Sequence, residues 1–123
     1  MAKETKTEKT LIGVVEDVVI NGDKERQRTL YARIDTGASK SSMDSKLAAE
    51  LHIGPIKRTK MVKSASGNRL RPIVDAVVIL AGKKIRSEFT LADRSHMRFP
   101  ILIGRDILSH HGFLIDPDRE AKR

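Results

Sequence analysis

The alternation of apolar and polar positions predicts a chain built mainly of β-strands. Residues 11–20 form an apolar, β-rich run, and residues 29–34 alternate apolar with polar side chains, which is the period of a half-buried strand. Between them, Asn21-Gly22-Asp23 is a turn signal. We therefore expect a hairpin whose second strand ends at Asp35.

One helix, two turns and several further strands are predicted in the rest of the chain. Apolar side chains at helical spacing indicate a helix over residues 43–51, with Ser42 or Asp44 as its N-cap. Gly54-Pro55 ends this helix. The later elements are strands at 56–64 and 70–80 around a tight turn at Ser66-Gly67-Asn68, a turn at 81–84, a strand at 85–91, a loop at 92–98, an apolar strand at 99–103, a short helix at 104–111 and a last strand at 113–115.

This pattern of strands with one or two short helices argues for a mainly β fold, specifically a small closed β-structure. A length of 123 residues suggests one domain. We expect that domain to span residues 10–117, between a mobile N-terminal tail at 1–9 and a charged C-terminal tail at 118–123.

The composition narrows the class of partner. Lysine and arginine outnumber acidic residues 24 to 16, giving a net charge of +8. This charge favours polyanions such as nucleic acid, ribosomes or acidic peptides, although simple solubility explains it equally well. Aromatic residues make up only 3% of the chain, too few for the stacking platforms that bind single-stranded nucleic acid. We therefore do not expect nucleic acid to be the partner.

Cysteine content and the length of the apolar runs bear on the cellular compartment. The chain has no cysteine, which excludes disulfides and cysteine-ligated zinc and fits a reducing cytosol. No apolar run reaches the roughly 18–20 residues that span a bilayer, and the N-terminal residues lack the apolar core of a signal peptide. The sequence thus predicts a cytoplasmic protein with no membrane partner.

Two segments carry candidate chemistry. A predicted strand delivers Asp35-Thr36-Gly37 into a loop of small residues, and later the apolar segment 100–103 runs into Gly104. Two aspartates held close together share one proton, so one can act as base on a water while the other donates to a carbonyl. If Asp35 works in such a pair, the second carboxylate must come from a second copy across a two-fold axis, because the sequence has only one Asp-Thr-Gly. An ordinary turn is the alternative, since Asp and Gly are common turn residues.

Taken in this order, the two segments resemble the retropepsin-like aspartic peptidases. The resemblance extends from residue 11 to residue 117, and within that class it is strongest to a bacterial and archaeal family known as ATP-dependent zinc proteases. It implies a retropepsin-like (acid protease) barrel, a homodimer and an aspartic endopeptidase. The segments that carry it are Asp35-Thr36-Gly37-Ala38-Ser39, Ser64-Ala65-Ser66-Gly67, Leu91-Ala92-Asp93-Arg94, Met97, Phe99-Pro100 and Ile101-Leu102-Ile103-Gly104-Arg105-Asp106.

The resemblance also implies which residues meet the substrate. Asp35 is the implied catalytic residue, with Thr36 locking its loop by hydrogen bonding and Gly37 allowing close backbone approach. A hairpin over residues 64–71 is the implied flap that closes over a bound peptide. The implied substrate-binding residues are Ala38, Ser39, Ser66, Gly67, Asn68 and Ile103.

Gly104 and Arg105 are implied as structural residues beside the site. In retropepsins the matching arginine forms an ion pair with an acidic residue two positions after the glycine, but that position is Ser39 here. The partner of Arg105 therefore stays open between Asp44, Asp93 and Asp106.

Neither zinc nor ATP has a signal in the sequence. There is no His-Glu-x-x-His, no cysteine and no Gly-rich phosphate loop ending in Lys-Ser or Lys-Thr. His110 and His111 are adjacent, so on a helix they would point in different directions. We expect no metal and no cofactor.

The implied substrate is a peptide or protein. Cationic residues around the flap and the apolar strand would attract acidic peptides if they face the cleft, and some related bacterial proteins are linked to trimming glutamate tails on a ribosomal protein. Two other functions stay open: a catalytically silent retropepsin-like module for dimerisation or peptide binding, and a basic ribosome- or RNA-associated domain. The cationic residues are Lys60, Lys63, Arg69, Arg71, Arg94 and Arg98.

Overall fold

The computed structural model describes residues 8–23, 26–64 and 67–121. Most of the predicted N-terminal tail, Ser66 of the predicted turn and the last two residues lie outside these ranges. The helices within them are α1 (Ser45–Glu50) and α2 (Arg105–Leu108). The strands are β1 (Thr10–Ile12), β2 (Val15–Asn21), β3 (Gln27–Ile34), β4 (Ser42–Asp44), β5 (Arg58–Ser64), β6 (Gly67–Leu80), β7 (Lys83–Ala92), β8 (Ile101–Ile103) and β9 (Phe113–Ile115).

Six strands close into a small barrel in the order β2-β3-β8-β4-β7-β6, and pairing of β6 with β2 joins the two ends. The mainly β closed structure predicted from the sequence is therefore confirmed. Strand β5 lies outside the barrel and pairs antiparallel with the first half of β6, from Arg58 opposite Ile73 to Ser64 opposite Gly67. Residues 58–64 and 67–73 thus form a projecting hairpin, hereafter the flap.

The barrel interior is filled by aliphatic side chains. From Val18 along β2 and from Val74 along β6, buried positions alternate with half-exposed ones, as expected for strands with one face inside. Phe89 is the one aromatic residue among the largest fully buried side chains of the described residues, which otherwise are Ile, Leu, Val and Met. Each such aliphatic side chain contributes about 1.5–3 kcal/mol when it leaves water.

The predicted strand over residues 11–20 is in fact two strands. The break falls at Gly13, where an added Cβ would collide with the backbone carbonyl of Arg119. Val14 N donates to that same carbonyl at 2.7 Å, so the chain turns here to meet the C-terminal segment. Strand β1 then leaves the barrel and pairs in parallel with β9.

The predicted helix over residues 43–51 is shorter because its first residues are a strand. Residues 42–44 form β4, which lies between β7 and β8, and Met43 is fully buried there. The helix begins after Asp44, whose carboxylate accepts a hydrogen bond from Leu47 N at 3.2 Å. Of the two predicted caps, Asp44 is the one used.

Two other predicted elements also shrink at their ends. The apolar strand predicted at 99–103 covers residues 101–103, and the helix predicted at 104–111 covers 105–108 before a turn. At the C-terminus, Ala121 N donates to Val15 O at 2.8 Å, so contacts with the barrel reach past residue 117.

Among the described residues, no helix is long and apolar enough to cross a membrane.

Candidate active site

Asp35 is the first residue after β3, and hydrogen bonds with backbone groups of neighbouring residues hold it in place. Its N–H donates to Ile103 O at 2.9 Å across the parallel pair of β3 and β8. Gly37 N donates to Oδ1 of the carboxylate at 2.9 Å, and Ala38 N donates to the carbonyl at 3.2 Å. The other carboxylate oxygen, Oδ2, lies 3.9 Å from Nε of Arg33, and the side chain is 29% exposed. The carboxylate is therefore oriented, reachable from solvent and close to a cation.

Two glycines let the backbone pack tightly around this carboxylate. A Cβ at Gly37 would lie 3.2 Å from Asp35 Oδ1. A Cβ at Gly104 would lie 2.7 Å from the carbonyl oxygen of Lys40 and 2.9 Å from that of Ala38. The segment between β8 and α2 can therefore pass against residues 35–41, hereafter the active loop, only without a side chain at position 104.

Arg105 holds the active loop through its backbone carbonyls. Its N–H donates to Ala38 O at 2.8 Å, and its guanidinium donates to Thr36 O at 3.0 Å. In the described part of the chain it has no ion pair with any of the three partners that the sequence left open, which are Asp44, Asp93 and Asp106. The arginine thus holds the active loop by hydrogen bonds to backbone carbonyls, with no carboxylate among these partners.

A buried serine at the end of the active loop was missed by the sequence analysis. Ser41 is fully buried, and its hydroxyl donates to Asp106 Oδ1 at 2.7 Å while it accepts from Gly104 N at 2.9 Å. Its N–H donates to Asp106 Oδ2 at 3.1 Å. The two residues are 65 positions apart, so no local pattern could have paired them.

A cavity of about 480 Å³ lies between the active loop and the flap. Ala38 and Ser39, both predicted as substrate-binding, line it. Its lining is strongly cationic, with Asp93 as its one acidic member. The cations are Lys40, Lys60, Lys63, Arg71 and Arg94.

The same cavity has an apolar part. Met61 from the flap, Met97 from the loop after β7 and Leu102 from β8 contribute to its lining. Met61 and Met97 are 51% and 60% exposed, so apolar surface is open to solvent at this point. The cavity can therefore accept an extended chain with both apolar and anionic groups.

Comparison with known proteins identifies the family. A model of the RimB-like family, described as retropepsin-like aspartic endopeptidase RimB, matches residues 43–123. The chain belongs to this family. The matched range begins after the active loop, so it does not include Asp35. No match was found among curated proteins.

Solved structures with the same fold include retroviral-type proteases. Lpg0085 from Legionella pneumophila, a protein of unknown function, is 22% identical with a TM-score of 0.66, over 92% of this chain and 97% of that one. EIAV protease with the inhibitor HBY-793 is 22% identical with a TM-score of 0.65, over 83% and 90%. The retroviral protease-like domain of Ddi1 from Leishmania major is 24% identical with a TM-score of 0.56, over 80% and 76%. At these identities the likeness shows the retropepsin-like fold.

The remaining predicted substrate-binding residues occupy different places in this retropepsin-like fold. Gly67 and Asn68 are exposed at the described end of the flap, away from the cavity lining. Ile103 is fully buried in the core and contributes its carbonyl to Asp35, whereas its neighbour Leu102 faces the cavity. Side chains alternate along a strand, so only one of these two neighbours can face the cavity.

Arg94, on the loop after β7, is the most anchored of the cavity cations. Its N–H donates to Asp44 Oδ1 at 2.8 Å, and its Nε donates to Phe99 O at 3.0 Å. Burial is the main cause that lowers the pKa of Arg94, and Arg33 adds to this whereas Asp44 and Asp35 oppose it. An arginine remains charged at neutral pH even so.

Arg33 could have been found from the strand period. It stands two residues before Asp35, and side chains two apart in a strand point to the same face. The alternation of β3 leaves Arg33 exposed between buried Ala32 and Ile34. The same alternation that predicts the strand therefore also places a cation beside the carboxylate.

An ion-pair cluster fixes the base of the flap to β7. Arg58 NH2 lies 2.7 Å from Glu88 Oε1, and Lys57 Nζ lies 3.0 Å from Glu88 Oε2. Hydrogen bonds from Arg58 and then Lys57 lower the pKa of Glu88 to about 2.

Among the described residues, no group of three or more His, Cys, Asp or Glu side chains could hold a metal ion.

Proposed function

We propose that the protein is an aspartic endopeptidase that acts as a homodimer. The observation that carries the proposal is the carboxylate of Asp35, oriented by Gly37 N and open to solvent in a retropepsin-like fold. One chain supplies one such carboxylate. A two-fold axis beside the active loop would bring the same residue from each copy together, and the site is incomplete without the second copy.

In this mechanism the two Asp35 carboxyl groups hold one proton between them. The unprotonated one takes a proton from a water as the water oxygen attacks the peptide carbonyl carbon. The protonated one gives its proton to the carbonyl oxygen. The tetrahedral intermediate then collapses with cleavage of the C–N bond. The departing amine receives a proton from the pair, and one hydroxyl of the intermediate returns its proton to the pair as the carboxylic acid forms.

Acidic peptides are the substrate class that the cavity favours. Five of its lining residues are cationic and one is acidic, so the local field attracts carboxylate side chains. Arg33, next to Asp35, adds a cation close to the reacting group. The apolar side chains of Met61, Met97 and Leu102 would contact the aliphatic parts of the same peptide.

A catalytically silent peptide-binding module is the second candidate, because the family match does not include the Asp-Thr-Gly loop. The decisive experiment compares the parent with Asp35→Asn on an acidic peptide. The amide keeps the shape of the carboxylate and cannot act as base, so we expect loss of cleavage with retained fold. Asp17→Asn, an exposed carboxylate on β2, is the matched control and should cleave like the parent.

Equal turnover by the parent and Asp35→Asn would remove Asp35 from the mechanism. Absence of cleavage by the parent itself, with retained binding of the peptide, would favour the silent module. The assay is repeated with a metal chelator. Loss of activity that zinc restores would count against an aspartic mechanism.

A further inference from the structure

The end of the active loop is fixed by one carboxylate that receives several hydrogen bonds. Ser41 Oγ and Ile107 N donate to Asp106 Oδ1 at 2.7 and 2.9 Å, and Ser41 N donates to Oδ2 at 3.1 Å. Ser41 Oγ in turn accepts from Gly104 N at 2.9 Å. These contacts join the last residue of the loop to the first turn of α2.

We propose that Asp106 is a positioning residue for the reaction, acting through Ser41 on the placement of Asp35. The inference rests on the proposed function. The active loop is held at its start by the bond from Asp35 N to Ile103 O. At its end it is held by Ser41. These two anchors, together with the bonds from Arg105 to the carbonyls between them, set the position of the loop against β8 and α2.

A carboxylate suits this place better than an amide. All the hydrogen-bond partners on its two oxygens are donors, and an ionised carboxylate only accepts. In Asp106→Asn the side-chain NH2 would face a donor on one side, so one of the bonds from Ser41 is lost. Bonds to an ionised acceptor are also stronger than neutral ones.

Loss of Asp106 should move the loop and leave the fold in place. Its neighbours Ile107 and Leu108 are buried and hold α2 to the core without the carboxylate. Asp106 itself does not line the cavity. The active loop would therefore shift while most of the peptide-binding surface stays, which predicts a change in kcat larger than the change in KM.

The test combines kinetics with amide hydrogen exchange measured by NMR on the full chain. In Asp106→Asn we expect kcat to fall roughly ten- to hundredfold, the size of effect that misplacement by about 1 Å produces. KM should change less than threefold, because Asp106 lies outside the peptide-binding surface and substitutions at such positions have small effects. The Ser41 and Gly104 amides should exchange faster, while those of Val18 and Val78 in the barrel stay protected.

Glu16→Gln is the matched control. Its carboxylate also accepts a backbone N–H, from Gly13 at 2.7 Å, and is also partly buried, but it lies at the start of β2 outside the site. Ser41→Ala gives a second arm, since it removes the hydroxyl that joins Asp106 to Gly104. The double variant should lose no more kcat than the more impaired single variant, because both changes break one unit.

Several results would overturn the inference. These are parent-like kcat in Asp106→Asn, additive losses in the double variant, a loss in Glu16→Gln of the same size, or faster exchange throughout the barrel. If the parent cleaves nothing, the proposed function fails and the role of Asp106 in a reaction fails with it. Faster exchange confined to Ser41 and Gly104 would then show only that Asp106 anchors the loop, and unchanged exchange would contradict even that.

Discussion

The active loop and the flap face each other across one cavity, yet they are built in opposite ways. Apart from Lys40, the loop consists of short residues, and it is held by backbone hydrogen bonds, by the close packing of two glycines and by the buried Ser41. The flap is an antiparallel pair with long, exposed side chains. Under the proposed function, the loop would fix the position of the reacting carboxylate, whereas the flap would supply charge for recognition.

Charge arrangement on the flap supports this division. Lys60 lies directly opposite Arg71, and like charges in this position destabilise a strand pair. Met61 lies opposite Leu70, and both are more than half exposed. The like-charged pair does not stabilise the free chain, so it makes more physical sense in contact with an anionic ligand. The exposed Met61 would add apolar contact to the same ligand.

Between these two regions, the larger effect on stability should come from filling the close contact on the loop side. In Gly104→Ala the new Cβ would lie 2.7 Å from Lys40 O, which costs about 1–3 kcal/mol of unfolding free energy as an overpacked site. Asn68→Ala, exposed on the flap, should stay within about 0.5 kcal/mol of the parent. Urea unfolding measures both, and equal effects would end the distinction between a tight loop and a tolerant flap.

A second prediction sharpens the charge role of the flap. Replacing Lys60 and Arg71 by Gln removes two exposed ion pairs with an acidic peptide. Each pair contributes about 0.5–1 kcal/mol to the binding free energy of the peptide. KM should therefore rise roughly tenfold. Cleavage of a neutral peptide should change little, and added salt should weaken the parent more than the variant. Lys46→Gln, exposed on α1, is the control; an equal effect there would show that only net charge matters.

The smallest effect concerns the base of the flap and depends on pH. The pKa of Glu88 is lowered to about 2, so the unfolded chain binds a proton at this position more readily than the folded one. The stability from its bonds with Arg58 and Lys57 is present above the ordinary pKa of 4.5 and is lost as pH falls towards 2. Unfolding midpoints at pH 5 and pH 3 should differ less in Glu88→Gln than in the parent. An unchanged difference would show that the cluster contributes nothing.

Local pattern predicted those parts of the molecule that depend on near neighbours in sequence. The hairpin of β2 and β3, the Asp44 cap and the place of Asp35 after a strand all follow from periodicity and turn chemistry. Strand β4 was not predicted, because three residues are too few to show a period and Met43 also fits helical spacing.

Contacts between distant residues were beyond the sequence analysis. The break at Gly13 is caused by Arg119 at the far end of the chain, and the Ser41–Asp106 bonds join the two candidate segments. The sequence left the partner of Arg105 open among acidic side chains, whereas the described structure gives its guanidinium the backbone carbonyl of Thr36. Such pairings depend on the closure of the barrel, which no local window contains.

The central claim is that each active site needs Asp35 from two copies, and mixing parent with Asp35→Asn tests it directly. Subunits are exchanged at constant total concentration above the dimer dissociation constant, and cleavage of one acidic peptide is followed as the parent fraction falls. If only parent–parent dimers act, activity follows the square of that fraction and reaches about a quarter at equal mixing of a two-fold dimer. A linear fall, to half at equal mixing, would mean that one chain acts alone and would contradict the account.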